Sequence, residues 1–366
     1  MMIHTRFKLN TLILLLMLLI PLGLMASGIE ETLITVRSYK VDPDTKLEVF
    51  NKYGTIHINT WQKDSVIIKA SEYYKAEDKK QLDKLKSSVD FTITKTRYII
   101  NVKTVFSDPA KDLLNFIPLD LKSNTETKVD LEIWMPEAIS LTLEHRYGDV
   151  FIGTMTGDAF IDVAHGQFKA YNMFGKLKLN AAYCNSTIRF TEDAIISARF
   201  GEMTLDSAGK INIESRSADI VIGEANLLEI NGRNDDIYIQ SCDELHLDGY
   251  FSKLNADEIS GNVYSKTTYG NLNLNFPEHY ENSITIYSNY TDIGLTFAAE
   301  DGMLPVSILH QKSRFMYSSS NTHLKEEKIS GKDVIYKSTG TIGTGGMLNG
   351  NLSVEMFSGE LKLIVK

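Results

Sequence analysis

The chain has little cysteine and proline and lacks the sequence motifs that most often mark catalytic or metal sites. It has only two cysteines and seven prolines in 366 residues. It contains no Gly-x-Ser-x-Gly nucleophile elbow, no Cys-x-x-Cys pair and no His-x-His pair. The glycine-rich stretch 340–350 lacks the Gly-Lys-Ser/Thr ending of a phosphate-binding loop. We therefore assign no catalytic, cofactor-binding or metal-ligating residue from the sequence.

Basic charge is also scarce. Lys and Arg number 38 against 47 Asp and Glu, which gives a formal net charge of −9. Nucleic-acid binding depends on clustered Lys and Arg that contact phosphates, so a chain this acidic is not expected to bind nucleic acid.

Long apolar runs are missing except at the start of the chain. Arg6 and Lys8 give a basic beginning, Leu9 to Leu24 an apolar core, and Ala26-Ser27-Gly28 a small-residue exit. This pattern predicts that residues 1–28 are a secretory signal peptide. An uncleaved anchor is the alternative, but the apolar run is shorter than the 18 or more residues of a spanning helix. We expect an exported chain in the periplasm, on the outer-membrane surface or outside the cell, with no membrane span after signal removal.

A four-residue phrase recurs through the middle of the chain: an aromatic, a small, a polar and an apolar residue. Clear copies are Tyr147-Gly148-Asp149-Val150 and Phe200-Gly201-Glu202-Met203. Successive copies begin 17 or 18 positions apart, and the last step is 21. Such a period predicts stacked structural units that bury one another's apolar faces. The copies begin at Tyr147, His165, Tyr183, Phe200, Ser217, Asn234, Phe251, Tyr269 and Tyr290.

Within each unit, two short segments alternate apolar and polar residues, as strands with one inward face do. Ile220 and Ile222 represent the first segment, and Leu228 and Ile230 the second. The fold class predicted is all-β: a parallel, single-chain β-solenoid, like a β-helix or β-roll, of 17–18-residue coils. Two faces fit best, and three short faces remain an alternative.

Two features of the phrase yield further expectations. Counting every second residue along each strand places Tyr183 and Phe200 on the same side as the core residues. The aromatic column is therefore expected inside the molecule rather than on a sugar-binding surface. In that column Ser217 and Asn234 are expected to be buried polar residues. The small residue after each aromatic is expected at a corner with positive φ. A second glycine corner recurs at Gly157, Gly175, Gly209 and Gly261.

Carboxylates recur in the polar slot of the phrase. Stacked acids can bind calcium or act as an acid and base pair in polysaccharide cleavage. The same slot also holds Gln167, Asn185, Lys253 and Asn271, which favours a solvated turn. The acidic members are Asp149, Glu202, Asp219, Asp236 and Asp292, with Asp235 adjacent.

Histidine and cysteine patterns indicate no site. His145 and His165 lie near one corner but at different offsets from the phrase, which places them on different columns. Cys184 and Cys242 are three coils apart, on the order of 14 Å, whereas a disulfide needs Cα atoms within about 7 Å. We predict two free, buried, inert thiols.

The domain organisation follows from these patterns. The signal peptide is followed by an N-terminal β region, 29–128, with a helical insert at about 76–89 and an irregular loop at about 106–127. The solenoid repeats span 129–297. Residues 298–366 form a C-terminal capping β region, in which the final strand is expected to cover the end of the stack.

The mature chain resembles the bacterial putative-adhesin, β-strand-repeat family of unknown function. The resemblance rests on the opening strands ending in Ile58-Asn59-Thr60-Trp61, the charged helical insert after Ile67-Ile68-Lys69-Ala70, the Tyr-Gly-Asp and Phe-Gly-Glu corners, and the closing Phe357-Ser358-Gly359-Glu360-Leu361 strand. It implies an exported, extended β fold and supplies no functional residues.

Three functions are consistent with the sequence. The first is a non-catalytic, adhesin-like binding or scaffold component of the cell envelope, with a protein or glycan ligand and no cofactor. The second is a carbohydrate-active β-helix enzyme that uses the stacked carboxylates. The third is a periplasmic partner of an envelope signalling system. Convergence of two carboxylates about 5 to 9 Å apart in a groove separates the second from the others.

Overall fold

The computed structural model describes residues 28–107, 125–298, 302–318, 320–329 and 334–366. The predicted signal peptide up to residue 27 and most of the predicted irregular loop lie outside these ranges. The described chain is nearly all β, with 20 strands in one long, mostly parallel and unclosed sheet.

The first half of the chain contains ten strands and one helix. These are β1 Ile29–Lys40, β2 Lys46–Tyr53, β3 Ile56–Trp61, β4 Ser65–Ala76, α1 Lys79–Ser87, β5 Val89–Lys95, β6 Ile99–Phe106, β7 Glu126–Pro136, β8 Ser140–Tyr147, β9 Val150–Ile152 and β10 Ala159–Arg199. The second half contains β11 Glu202–Arg216, β12 Asp219–Arg233, β13 Asp236–Tyr250, β14 Lys253–Ile259, β15 Val263–Phe276, β16 Ile284–Phe297, β17 Leu304–Tyr317, β18 Thr322–Lys328, β19 Ile335–Ile342 and β20 Leu352–Val365.

The central strands pair in parallel, with the same spacing as the sequence phrase. Leu205 of β11 pairs with Ile222 of β12, which in turn pairs with Ile239 of β13. The longer final step of the phrase also recurs in the pairing, since Leu272 of β15 lies beside Ile293 of β16. The predicted parallel direction is therefore confirmed, and copies of the phrase lie beside each other on neighbouring strands.

The core follows the predicted alternation. The apolar residues of both segments, such as Ile220 and Ile222 of the first and Leu228 and Ile230 of the second, are buried in one continuous hydrophobic cluster. The cluster extends from Val41 to Val365. Each strand therefore turns its apolar side toward a core that neighbouring strands share.

The N-terminal strands extend the same stack out of sequence order. β2 lies parallel between β6 and β8, and β3 lies parallel between β7 and β9. Antiparallel strands then flank them: β5 pairs with β6, β4 with β7, and β1 with β4.

The single helix of the described ranges, α1, falls within the predicted insert. Asp78 caps its N-terminus, because its carboxylate accepts a hydrogen bond from the Gln81 N–H at 2.8 Å. Leu82 is buried against Tyr74 and Ala76 of β4, with Leu85 and Val89 packed at the side. The helix thus lies against the sheet through one apolar face.

The C-terminal strand departs from the expectation of a final cap. β20 pairs in parallel with β16 on one side and with β17 on the other. The strands that precede it in sequence lie beyond it, where β17 pairs with β19 and β19 with β18 in antiparallel fashion. The last strand is therefore inserted into the stack, and the antiparallel strands β18 and β19 lie beyond it.

Candidate functional site

The aromatic column lies on the outside of the molecule, so the expectation that it is buried was wrong. Its Tyr and Phe rings between residues 147 and 290 are 38–54 % exposed. The next position of the phrase is less exposed: it is buried at Cys184, Ala218, Asp235 and Thr291 and intermediate in the other copies. The exposed members are Tyr147, Tyr183, Phe200, Phe251, Tyr269 and Tyr290.

The parity count failed because the column residue does not have an extended backbone. From His165 to Tyr290 it adopts a left-handed conformation, with φ between 50° and 60°. One residue in this region turns the chain and breaks the alternation of inward and outward side chains. Ala198, two positions before Phe200, is buried, whereas Arg199 and Phe200 are both exposed. Two consecutive side chains therefore face outward at the corner, and the alternation shifts by one residue.

Where the small residue of the phrase is glycine, it mainly allows the backbones of neighbouring repeats to approach closely. A positive φ is not the usual reason for it. A Cβ on Gly201 would clash with the carbonyl oxygen of Cys184 in the preceding copy of the phrase, and one on Gly166 would clash with that of Gly148. The second glycine corner is similar, since a Cβ on Gly209 would lie 2.5 Å from the Glu192 oxygen. Among these phrase glycines, Gly148 does have the expected positive φ, 140°.

The exposed rings stack on one another along the column. Tyr147, His165, Tyr183 and Phe200 have centroid separations of 4.9 to 5.1 Å and interplanar angles of 7° to 12°. A second stack contains Phe251, Tyr269 and Tyr290. Because the ring faces are turned to each other, mainly ring edges face solvent. The column therefore stabilises the stack and offers no aromatic face for a ligand along most of its length.

Ser217 and Asn234 interrupt the column. Both were expected to be buried, and neither of them is. Asn234 is exposed, and its side-chain N–H donates to the Ser217 hydroxyl at 3.2 Å. The buried polar group at this corner is the neighbouring Asp235. Its carboxylate accepts from the Ala218 N–H and from the Ser215 hydroxyl, both at 2.9 Å. Burial raises the pKa of Asp235 despite these hydrogen bonds.

The acidic slot forms an exposed row at the corner, outside the four depressions described below. Glu202, Asp219 and Asp236 occupy neighbouring positions on successive strands and are exposed. Asp149 and Asp292 instead accept backbone N–H groups of the adjacent strand, at 2.9 Å in each case. The slot thus behaves as a solvated turn that also pairs neighbouring strands.

The histidines and cysteines lie as predicted. His145 is fully buried and its Nε2 donates to the Gly54 carbonyl at 2.8 Å, whereas His165 lies in the exposed stack. Burial lowers the pKa of His145. Cys184 and Cys242 are free and buried, and burial raises the pKa of the Cys242 thiol to about 12. Within the described ranges, no group of three or more His, Cys, Asp or Glu side chains could hold a metal ion.

A depression on the outer face of the first segment has the features of a binding site. It has a volume of about 450 Å³ and lies where β3, β9, β10 and the start of β11 are adjacent. Its walls combine aromatic and hydrogen-bonding side chains, and its position was not predicted from the sequence. The residues that define it, which we call the Tyr171 notch, are His57, Asn59, Phe151, Gly153, Lys169, Tyr171, Arg189 and Asp206.

A more polar depression of about 470 Å³ adjoins the notch and shares His57 and Asn59 with it. Asp130 and Glu132 of β7 line it on the same face of the strand. Both carboxylates have partners: Asp130 accepts from the Thr55 N–H at 2.8 Å, and Glu132 pairs with Lys69 at 3.2 Å. The two depressions form one continuous stretch of outer face.

Two smaller depressions lie further along the chain. One of about 370 Å³ lies beside His246 and Tyr264, and one of about 290 Å³ lies beside Tyr287 and Gln311. Concave sites that combine apolar walls with a few polar groups are the usual places for small ligands. The Tyr171 notch combines aromatic walls with charged side chains of both signs, as does the depression beside Tyr287, which Phe357, His310, Lys266 and Glu355 also line.

Comparison with solved structures shows weak overall similarity to several bacterial proteins. A putative adhesin from Parabacteroides merdae has 11 % identity and a TM-score of 0.32, with 73 % of this chain and 95 % of that chain covered. A putative adhesin from Bacteroides fragilis has 12 % identity and a TM-score of 0.27, covering 72 % and 96 %. A putative lipid binding protein from Parabacteroides distasonis has 10 % identity and a TM-score of 0.23, covering 72 % and 92 %.

No protein-family model matches the chain, and no curated protein matches it significantly. In the part of the chain that the structure describes, no helix has both the length and the apolar character needed to cross a bilayer.

Proposed function

We propose that this chain is an exported, non-catalytic, adhesin-like binding protein of the bacterial cell envelope. The observation that carries the proposal is the continuous outer face formed by the Tyr171 notch and the adjoining polar depression. Its side chains point away from the core on paired strands, all parallel except β4, so a rigid framework positions them. A rigid, pre-formed face lowers the ordering cost of binding.

The architecture we propose is a β-solenoid in which each repeat makes one coil. Support comes from the parallel register, which is the same for both segments of a repeat, as in the pairing of β11 with β12. It also comes from the single hydrophobic cluster that both segments share. In such a stack each repeat contacts only its neighbours, and a long lateral surface is available to ligands.

Export is supported by the predicted signal peptide over residues 1–28 and by the acidic mature chain, whose formal charge falls from −9 to −11 without Arg6 and Lys8. An acidic surface favours solubility and disfavours nucleic acid. The predicted partner is therefore a protein or glycan outside the cytoplasm, bound without a cofactor.

Fractionation of cells that express a C-terminally tagged copy tests the proposal. We expect the tagged chain in the periplasmic, outer-membrane or culture fraction, shortened by about the length of the predicted signal peptide. The purified chain should then bind members of a panel of glycans and extracellular-matrix proteins. Retention at full length in the cytoplasm, or hydrolysis of a polysaccharide by the purified chain, would contradict it.

A further inference from the structure

Tyr171 presents one open aromatic face, unlike the rings of the exposed column. Its side chain is 52 % exposed, and the Arg189 guanidinium lies 4.5 Å from the ring centroid. Arg189 follows Tyr171 by one repeat of the sequence. The corresponding position one repeat earlier is Gly153, which has no side chain. One face of the ring is therefore covered by the guanidinium, and the other faces a gap one strand wide.

The gap is bounded on its remaining sides by rigid groups. His57 and Phe151 stack at a centroid separation of 4.7 Å and form an apolar wall beside it. Asn59 and Lys169 lie around the rim, with an amide and an ammonium group, whereas Asp206 lies beside Arg189 on the covered side of Tyr171. The volume of about 450 Å³ lies within the usual range of small-ligand sites.

This combination of groups matches the chemistry of a sugar ring. A pyranose has an apolar face of C–H groups, which an aromatic face attracts through its electron-rich centre. Its edge carries hydroxyls that donate and accept; the Asn59 amide can do both in return, and the Lys169 ammonium donates. The basic Arg189 lies beside the acidic Asp206 on the next strand, which favours an uncharged ligand over an anion. A nucleotide would need a basic phosphate site.

We propose that the Tyr171 notch binds one pyranose ring of an uncharged glycan, with the ring stacked on the open face of Tyr171. The adjoining depression, lined by Lys69, Asp130 and Glu132, then takes the next sugar unit of the chain. This inference names the ligand class of the proposed binding function and rests on it.

The test compares three variants of the purified chain. Tyr171→Ala removes the platform, Tyr171→Phe keeps the aromatic face without the hydroxyl, and Tyr264→Ala is the matched control. Tyr264 is a tyrosine of similar exposure, 46 %, beside a different depression. Each protein is applied to an array of defined neutral oligosaccharides, and the best-bound oligosaccharide is titrated by calorimetry. Thermal unfolding of each variant checks that the fold is intact.

We expect Tyr171→Ala to raise the Kd by about tenfold or more, equivalent to a loss of about 1.4 kcal/mol of binding free energy. Tyr171→Phe and Tyr264→Ala should stay within about threefold of the natural chain, because stacking needs the ring and not the hydroxyl. Equal affinity of Tyr171→Ala and the natural chain would overturn the inference. Binding of no oligosaccharide on the array would also overturn it.

The two proposals fail in different ways. If no oligosaccharide binds but the tagged chain is exported and binds matrix proteins, the sugar site is wrong and the adhesin-like function stands. If the chain stays in the cytoplasm and still binds an oligosaccharide through Tyr171, the site is right and the envelope function is wrong.

Discussion

Asp235 is the buried carboxylate of a corner where most other copies of the phrase place a glycine, alanine or cysteine. Its two oxygens hold the Ala218 N–H and the Ser215 hydroxyl, and Gly232 leaves space for it. A Cβ on Gly232 would lie 2.7 Å from the Asp235 carboxylate. The Asp235 carboxylate therefore stabilises this corner through hydrogen bonds between neighbouring strands rather than through apolar packing.

Two replacements of Asp235 distinguish the effect of its hydrogen bonds on stability from the effect of its buried charge. Asp235→Ala leaves the Ala218 N–H without its acceptor and should cost about 1–3 kcal/mol in the free energy of unfolding. Asp235→Asn keeps an acceptor and removes the buried charge. The pKa of Asp235 is raised by burial, so the natural chain loses stability as pH rises through that value.

The stability of Asp235→Asn relative to the natural chain should consequently increase between about pH 4 and pH 7. Chemical denaturation at several pH values measures this difference. A difference that stays constant or decreases over that range would show that the carboxylate is not disfavoured by its surroundings.

His145 gives the opposite pH dependence. It is buried as the neutral form, with Nε2 donating to the Gly54 carbonyl, and burial lowers its pKa below the ordinary value of 6.5. The unfolded chain therefore binds the proton more readily, and stability is lost as the pH falls below about 6.5. We expect His145→Gln to flatten this part of the pH profile of unfolding. An unchanged slope between pH 6.5 and the folded-state pKa would contradict the assignment.

At the scale of the element, the stacked column offsets the backbone cost of its own corners. A non-glycine residue in the left-handed region is disfavoured by about 1 kcal/mol or more, and eight consecutive corners adopt it, from His165 to Tyr290. Aromatic pairs contribute about 0.5–1.5 kcal/mol each beyond the area they bury. Tyr183 has two such partners, at 5.1 and 4.9 Å.

Substitutions at Tyr183 test whether ring stacking or backbone strain has the larger effect on stability. Tyr183→Gly removes the ring and relieves the backbone, whereas Tyr183→Ala removes the ring and keeps the strained φ of 53°. We expect both to unfold at lower denaturant concentration, with the alanine variant about 1 kcal/mol less stable than the glycine variant. Asn234→Gly, at a corner without a ring, is the control and should be near neutral. An alanine variant as stable as the natural chain would show that stacking contributes nothing, because alanine removes the ring and keeps the strained φ.

The sequence predicts the partners of the central strands well because each strand pairs with the next copy of the phrase. Ile220 and Ile237 could be aligned from the period alone, and they are partners. The side on which Tyr183 lies could not be predicted by counting, because one left-handed residue reverses the parity. The insertion of β20 between β16 and β17 has no local signal, since Leu352 pairs with Ile284 and Val306, both far earlier in the chain.

The Tyr171 notch was missed for a related reason. Its members lie on different strands, and none of them belongs to a recognisable motif. The period nevertheless contains the signal: Gly153, Tyr171 and Arg189 are evenly spaced, one repeat apart, and a glycine in that series opens the space before the ring. Comparison of outward positions along the repeat, in addition to the inward ones, would have identified the site.

For the molecule as a whole, the proposed binding face depends on one structural property: consecutive repeats lie parallel and in register. The parallel register brings together the notch residues of β3, β9, β10 and β11, and the antiparallel strand β4 completes the adjoining depression. The register also exposes the acidic corner row and the aromatic column along the length of the stack. A change of register by one residue would turn the outer face inward.

Spin-label distances along one outward row measure this register most directly. Thr187, Tyr238, Asn255 and Asn273 lie in one row, in which neighbouring strands pair position by position through Thr204 and Val221. With a first label at 187, the backbone separations to 238, 255 and 273 should increase in steps of about 4.8 Å, to about 24 Å for the last pair. Distances that fail to increase in this order would contradict the parallel stack and, with it, the binding face.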